Sequence, residues 1–302
     1  MRTSKKDFTE KLFTVFSDIK VFKWPLFISY HPQTFAIKGH HTREILKLIK
    51  PGDILVRSFK NYLNGHFMPG TFQQAGFYLS EVTDEHLRKI AQIEHPTDFH
   101  TGRQMVIHTV GEQVVLSDLI DFCRCDGLAV MRFPSQLKSL QQRQIPDILQ
   151  LYFDDPTPHV EEVVEKPKKK SKKKGKEEEE PEEEATPSEP VALDATTLAL
   201  VKAEKDIAQY IAQNKGIPFE KVFKIFYRIA LKELSTPSHY DFGIESFSGT
   251  SSTEVVYFIT KSICWNYDID PELCKVFFKQ RPIILPDAFV DNDLEEIWKM
   301  VG

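Results

Sequence analysis

The stretch FMPGTFQQAGFYL, Phe67 to Leu79, sets two glutamines, Gln73 and Gln74, at the centre of a segment framed by glycines and aromatic residues. A glutamine amide donates and accepts hydrogen bonds, but it has no lone pair basic enough to take a proton near neutral pH. The chemistry on offer there is binding and orientation. Two histidines lie near other polar motifs. His108 sits in the apolar run RQMVIHTV and reads as a strand imidazole satisfied by a backbone carbonyl, and His239 in SHYDF reads as a turn histidine. Ser251, Ser252, Thr253 and Glu254 precede an apolar helical run, which is the pattern of a capping box: Ser251 accepts from the third helical amide and Glu254 reaches back to the cap.

Cysteine chemistry is not indicated. Cys123, Cys125, Cys264 and Cys274 are too few and too unevenly spaced for a disulfide framework, and one Cys-x-Cys lacks the second pair that a structural zinc site needs. Reduced, partly buried thiols are expected, with no metal and no cofactor.

These residues need a frame, and composition allows a substantial one. The 302 residues are 41% hydrophobic and 12% aromatic, enough for one sizeable core. A net charge of -5 gives no basic footprint for nucleic acid, so no nucleic-acid partner is expected. No apolar run approaches the roughly 18 residues of a spanning helix, and the basic start of the chain is followed by no small-residue cleavage site. A cytoplasmic protein is the expectation.

The segment KPKKKSKKKGKEEEEPEEEATPSEP, from Lys166, cannot bury enough apolar surface to offset its ordering entropy, and residues 161–190 read as a disordered Lys/Glu-rich insert. Upstream, Phe8, Leu12, Val15, Phe16 and Ile19 recur at helical spacing and HHTREILKLIK reads as an amphipathic helix closed by Pro51-Gly52, so residues 1–50 are expected to form a helical segment. DILVRSF, AGFYLSEV, RQMVIHTV and LAVMRF are short β-branched or aromatic runs between turn residues, the signature of a small antiparallel sheet. LDATTLALVKAEKDIAQYIAQ, PFEKVFKIFYRIALKEL and STEVVYFITKSICW are helical. Together they predict one α+β domain over 51–160 and 191–290, broken by the insert, with a C-terminal tail helix over 291–302.

Seven short stretches carry a resemblance in sequence order: IKPGDILVRSF, MPGTFQQAGFYL, MVIHTVGEQVV, LAVMRF, HYDFGIESF, SSTEVVYF and IILPDAF. The chain resembles the permuted papain-like amidases, the YiiX-like branch of the NlpC/P60 hydrolases, over most of residues 20–155 and 220–290. The resemblance implies a sheet or half-barrel packed on helices, and an acyl-transfer site in which a cysteine thiolate attacks, a histidine moves the proton and a third polar group orients the imidazole. The family histidine falls on Gln74 and the family cysteine on Ser252. His108 and Glu112 match the third position.

With base and thiolate both absent, the resemblance implies a degenerate member: a binding or structural module, with Gln73, Gln74, Tyr78, His108, His239 and Ser252 lining the former site. The expected partner is a protein or an acyl or peptide ligand, and the aromatic-rich Phe8 to Tyr30 and the C-terminal NDLEEIWKMV offer docking surfaces for a larger assembly. The alternative is a rebuilt hydrolase, Ser252 attacking with His108, His239 or His66 as base.

Overall fold

A computed structural model of the chain describes residues 19–23, 26–30, 35–60, 70–110, 113–139, 143–154, 195–235, 252–276, 279–290 and 292–301. Its N-terminal elements are an antiparallel hairpin, β1 (Ile19–Lys23) and β2 (Leu26–Tyr30), then helix α1 (Gly39–Leu48). The hairpin corrects the expectation of a helical segment throughout 1–50. IKVFK and LFISY are rich in Ile, Val and Phe, residues that favour strands, and the Pro25 between them in the sequence is a residue that a helix interior does not tolerate. Residues 1–18, with Phe8 to Phe16, lie outside the described residues.

α1 ends as expected before Pro51-Gly52. Gly52 has a φ of +92°, and a Cβ there would lie 2.5 Å from the Phe219 ring, so the turn admits little else. The chain then enters β3 (Ile54–Ser58), β4 (Gln74–Val82), a short turn α2 (Asp84–His86), β5 (Gly102–Val110), β6 (Gln113–Asp118), α3 (Leu119–Phe122) and β7 (Gly127–Arg132). The four runs singled out in the sequence are four of these strands. The five strands β3 to β7 and the C-terminal β8 (Glu295–Met300) form a six-stranded antiparallel sheet in the order β8-β7-β3-β4-β5-β6.

Residues 295–300 therefore form a strand, where a tail helix was expected. A six-residue helix is marginal alone, whereas pairing with β7 satisfies a whole edge of backbone and seats Ile297, Trp298 and Met300 against the core.

The sheet is covered on both faces, which explains why all five residues of β3 are buried. Ile54, Val56, Ala75, Phe77 and Leu79 face helices α5 (Ala195–Ala212), α6 (Phe219–Glu233) and α7 (Ser252–Cys264). Leu55, Tyr78 and Val106 face the other way, toward Ile45 of α1 and Leu119 and Phe122 of α3. Helix α4 (Asp147–Asp154) packs Leu149 and Phe153 into the first layer. The protein is thus a mixed α+β fold, with strands from before residue 155 and helices from after residue 194 sharing one core. The charged insert lies outside the described residues.

α7 is buried along its whole length, with all thirteen residues enclosed. A helix buried on every side has no solvent face to offer, so its charged groups depend on internal partners. Lys261 finds them in Glu204 of α5 at 2.9 Å and the Phe258 carbonyl at 3.0 Å.

Candidate functional site

Ser252 is the first residue of α7, and its hydroxyl oxygen accepts a hydrogen bond from the Ala75 amide of β4 at 3.3 Å. On β4 the backbone N–H of Tyr78 points to β3, where it donates to the Asp53 carbonyl. By the two-residue alternation of an antiparallel strand, the Ala75 N–H points to the opposite edge, beyond the Phe77↔Ile107 pair where the β4–β5 ladder stops. Ser252 supplies the acceptor that the ladder no longer provides. It is 6% exposed, and the start of α7 is thereby pinned next to Gln74.

Gln74 pairs with Arg57 across β3 and β4, so the two side chains share a face. Arg57 donates from Nε and Nη2 to the Gln74 carbonyl oxygen at 2.8 and 2.6 Å, and from Nη1 to the Phe122 carbonyl at 2.9 Å. Its guanidinium lies 4.1 Å from the Phe122 ring centroid and 5.2 Å from that of Phe59. Burial lowers its pKa to about 10, which leaves it charged at neutral pH. Because a guanidinium has only donors, the amide oxygen of Gln74 must face it and the NH2 must face away. Gln73 bonds locally, accepting from the Phe59 amide at 2.7 Å and donating to the Thr71 carbonyl at 3.0 Å.

His108 lies on the same sheet face, edge-on to Phe122 at 5.1 Å between centroids. Both ring nitrogens are engaged, Nδ1 with the Thr109 carbonyl at 3.1 Å and Nε2 with Ser117 Oγ at 2.8 Å. Burial, aided by the Arg57 charge, pushes its pKa down to about 3. The expectation of an imidazole satisfied by backbone holds. The ring is neutral and too weak a base to activate a hydroxyl. Tyr78 is buried and its hydroxyl hydrogen-bonds Gln104. Glu112, His66, His239 and Ser251 lie outside the described residues, so the capping box is seen only as its helix, which starts at Ser252.

Two carboxylates hold this neighbourhood in place. Asp287 accepts from the amides of Thr71 and Phe72 at 2.8 and 3.1 Å and fixes the approach to β4. Asp53 receives Arg132 through two bonds of 2.7 Å and the Lys50 amide at 2.7 Å, which ties the turn after α1 to β7. The closing motif IILPDAF and the opening PGD and MRF motifs thus have structural work to do beside the site. Arg57 escaped the sequence reading, although a cation set inside the strand run ILVRSF was a usable signal.

The three described thiols are unreactive as placed. Cys123, Cys125 and Cys264 are buried and unpaired, and burial pushes the Cys123 thiol up to about 12. Among the described residues, no His, Cys, Asp or Glu side chains group in threes to hold a metal, and no helix is long and apolar enough to cross a membrane.

Ser252 meets the start of β4 through the Ala75 amide, whereas the side chains of Arg57, Gln74 and His108 gather around Phe122 on the sheet face opposite the one that α7 covers. This arrangement offers hydrogen-bond donors and a buried positive charge. Among the described residues it provides no proton acceptor matched to neutral pH. No family model, curated protein or solved structure matches the chain.

Proposed function

We propose that the chain is a catalytically silent relative of the permuted papain-like hydrolases, kept as a binding or structural module with a protein, peptide or acyl partner. The observation that carries the reading is the Ser252–Ala75 hydrogen bond, which joins the two segments assigned from sequence to nucleophile and base. Gln74 stands at the base position with its oxygen already taken by Arg57. Crippling either member of a coupled nucleophile–base pair removes most of the rate, and here both have changed.

A rebuilt serine hydrolase finds no support in His108, whose nitrogens are occupied and whose pKa is far below that of a working base. Turnover of a panel of aryl esters and amides by the wild type and by Ser252→Ala tests the proposal. Equal rates at the buffer background are expected; a rate in the wild type that vanishes in Ser252→Ala contradicts it.

A further inference from the structure

Among the described residues, the buried guanidinium of Arg57 hydrogen-bonds an amide and a backbone carbonyl and no carboxylate. A buried cation without a counter-ion is costly, and two aromatic faces and one Gln carbonyl are modest compensation. Such a group persists where it holds something in place.

We propose that Arg57 is a positioning residue that fixes residue 74 as a hydrogen-bond donor and excludes a proton-accepting base there. The loss of catalysis is then built into β3 as well as into Gln74 and Ser252. The inference rests on Gln74 standing at the former base position.

The guanidinium has no lone pair, so any side chain at 74 that reaches it must present an acceptor. Gln does so with its carbonyl oxygen and turns its NH2 away from Arg57. An imidazole in that place would spend its acceptor nitrogen on Arg57. It would also have to become a cation beside a cation during turnover. Among the other described titratable groups near the pair, His108 on β5 is neutral, and Cys123 and Cys125 after α3 are buried thiols with raised pKa values. The carboxylates of that neighbourhood bond elsewhere, Asp126 to the Ala36 and Lys60 amides and Asp118 to the Ile120 amide. Glu254, in the first turn of α7, is the carboxylate next to Ser252 along the chain.

NMR pH titrations of Gln74→His and Gln74→Glu, each with and without Arg57→Gln, test the proposal. With Arg57 present, the introduced imidazole is expected to titrate about one pH unit or more below 6.5, and the introduced carboxyl below its ordinary value of about 4.3. Arg57→Gln should raise both. Burial alone lowers the imidazole but raises the carboxyl, so a carboxyl titrating above 4.3 with Arg57 in place overturns the proposal. The Gln74→Glu arm leaves Arg57 untouched and stands even if Arg57→Gln fails to fold.

Ester turnover by Gln74→His, Ser252→Cys, with and without Arg57→Gln, separates this inference from the family reading. Turnover only when Arg57 is replaced supports both, and turnover with Arg57 present overturns the exclusion. Titrations as expected with no turnover in any combination leave Arg57 in its role and remove the family reading.

Discussion

The hydroxyl oxygen of Ser252 lies 3.3 Å from the amide nitrogen of Ala75, and through that contact helix α7 closes the gap left where the β4–β5 ladder ends. Ala75 is fully buried, so its N–H has no water to turn to. Ser252→Ala should therefore destabilise the fold by about 1–3 kcal/mol, the cost of orphaning a buried donor. Urea unfolding of both proteins measures it. A change near zero would mean that the serine is not an anchor.

His108 makes stability depend on pH. Its folded pKa of about 3 lies below that of an exposed imidazole, about 6.5, so between those values the unfolded chain binds the extra proton. The stabilisation is complete above about pH 6.5 and is lost as pH falls toward 3. From pH 7 to pH 5 this group should remove about 2 kcal/mol. That part of the slope should be missing in His108→Gln, as unfolding curves at the two pH values will record.

The Lys261–Glu204 pair, 4% and 2% exposed, is buried between α7 and α5. Removing one partner strands the other, so Lys261→Met should cost about 3–5 kcal/mol, while Lys261→Met combined with Glu204→Leu should recover most of it. A double-mutant cycle by chemical denaturation reads the coupling directly.

Gly76 is required by close packing across the sheet. A Cβ there would meet Val106 Cγ1 at 2.7 Å and the Phe122 ring at 2.8 Å. Gly76→Ala should cost about 1–3 kcal/mol through overpacking, and trimming Val106 to Ala alongside it should return part of that stability.

Much of this frame was legible in the sequence because the signals are local. ILVRS and GLAVMR are continuous apolar runs bounded by Gly, Asp and Pro, and they form the buried strands β3 and β7. The periodicity of FEKVFKIFYRIALKE likewise gives α6 its buried Val222, Phe226 and Ile229. EEIWKM was not legible as a strand, since its state is decided by the free edge of β7 and not by its own pattern. At the site, Gln74 and Ser252 were named from motif order, but their surroundings were not. The Arg57–Gln74 bond depends on cross-strand register, and the Asp287 bonds join residues more than two hundred positions apart. Neither is written in any short window.

Intact-mass labelling of the purified protein with a serine-reactive fluorophosphonate, beside Ser252→Ala, shows whether a base activates Ser252. No adduct is expected on either protein. A stoichiometric adduct on the wild type that disappears in Ser252→Ala would contradict the catalytically silent reading, because only an activated hydroxyl displaces fluoride from that probe.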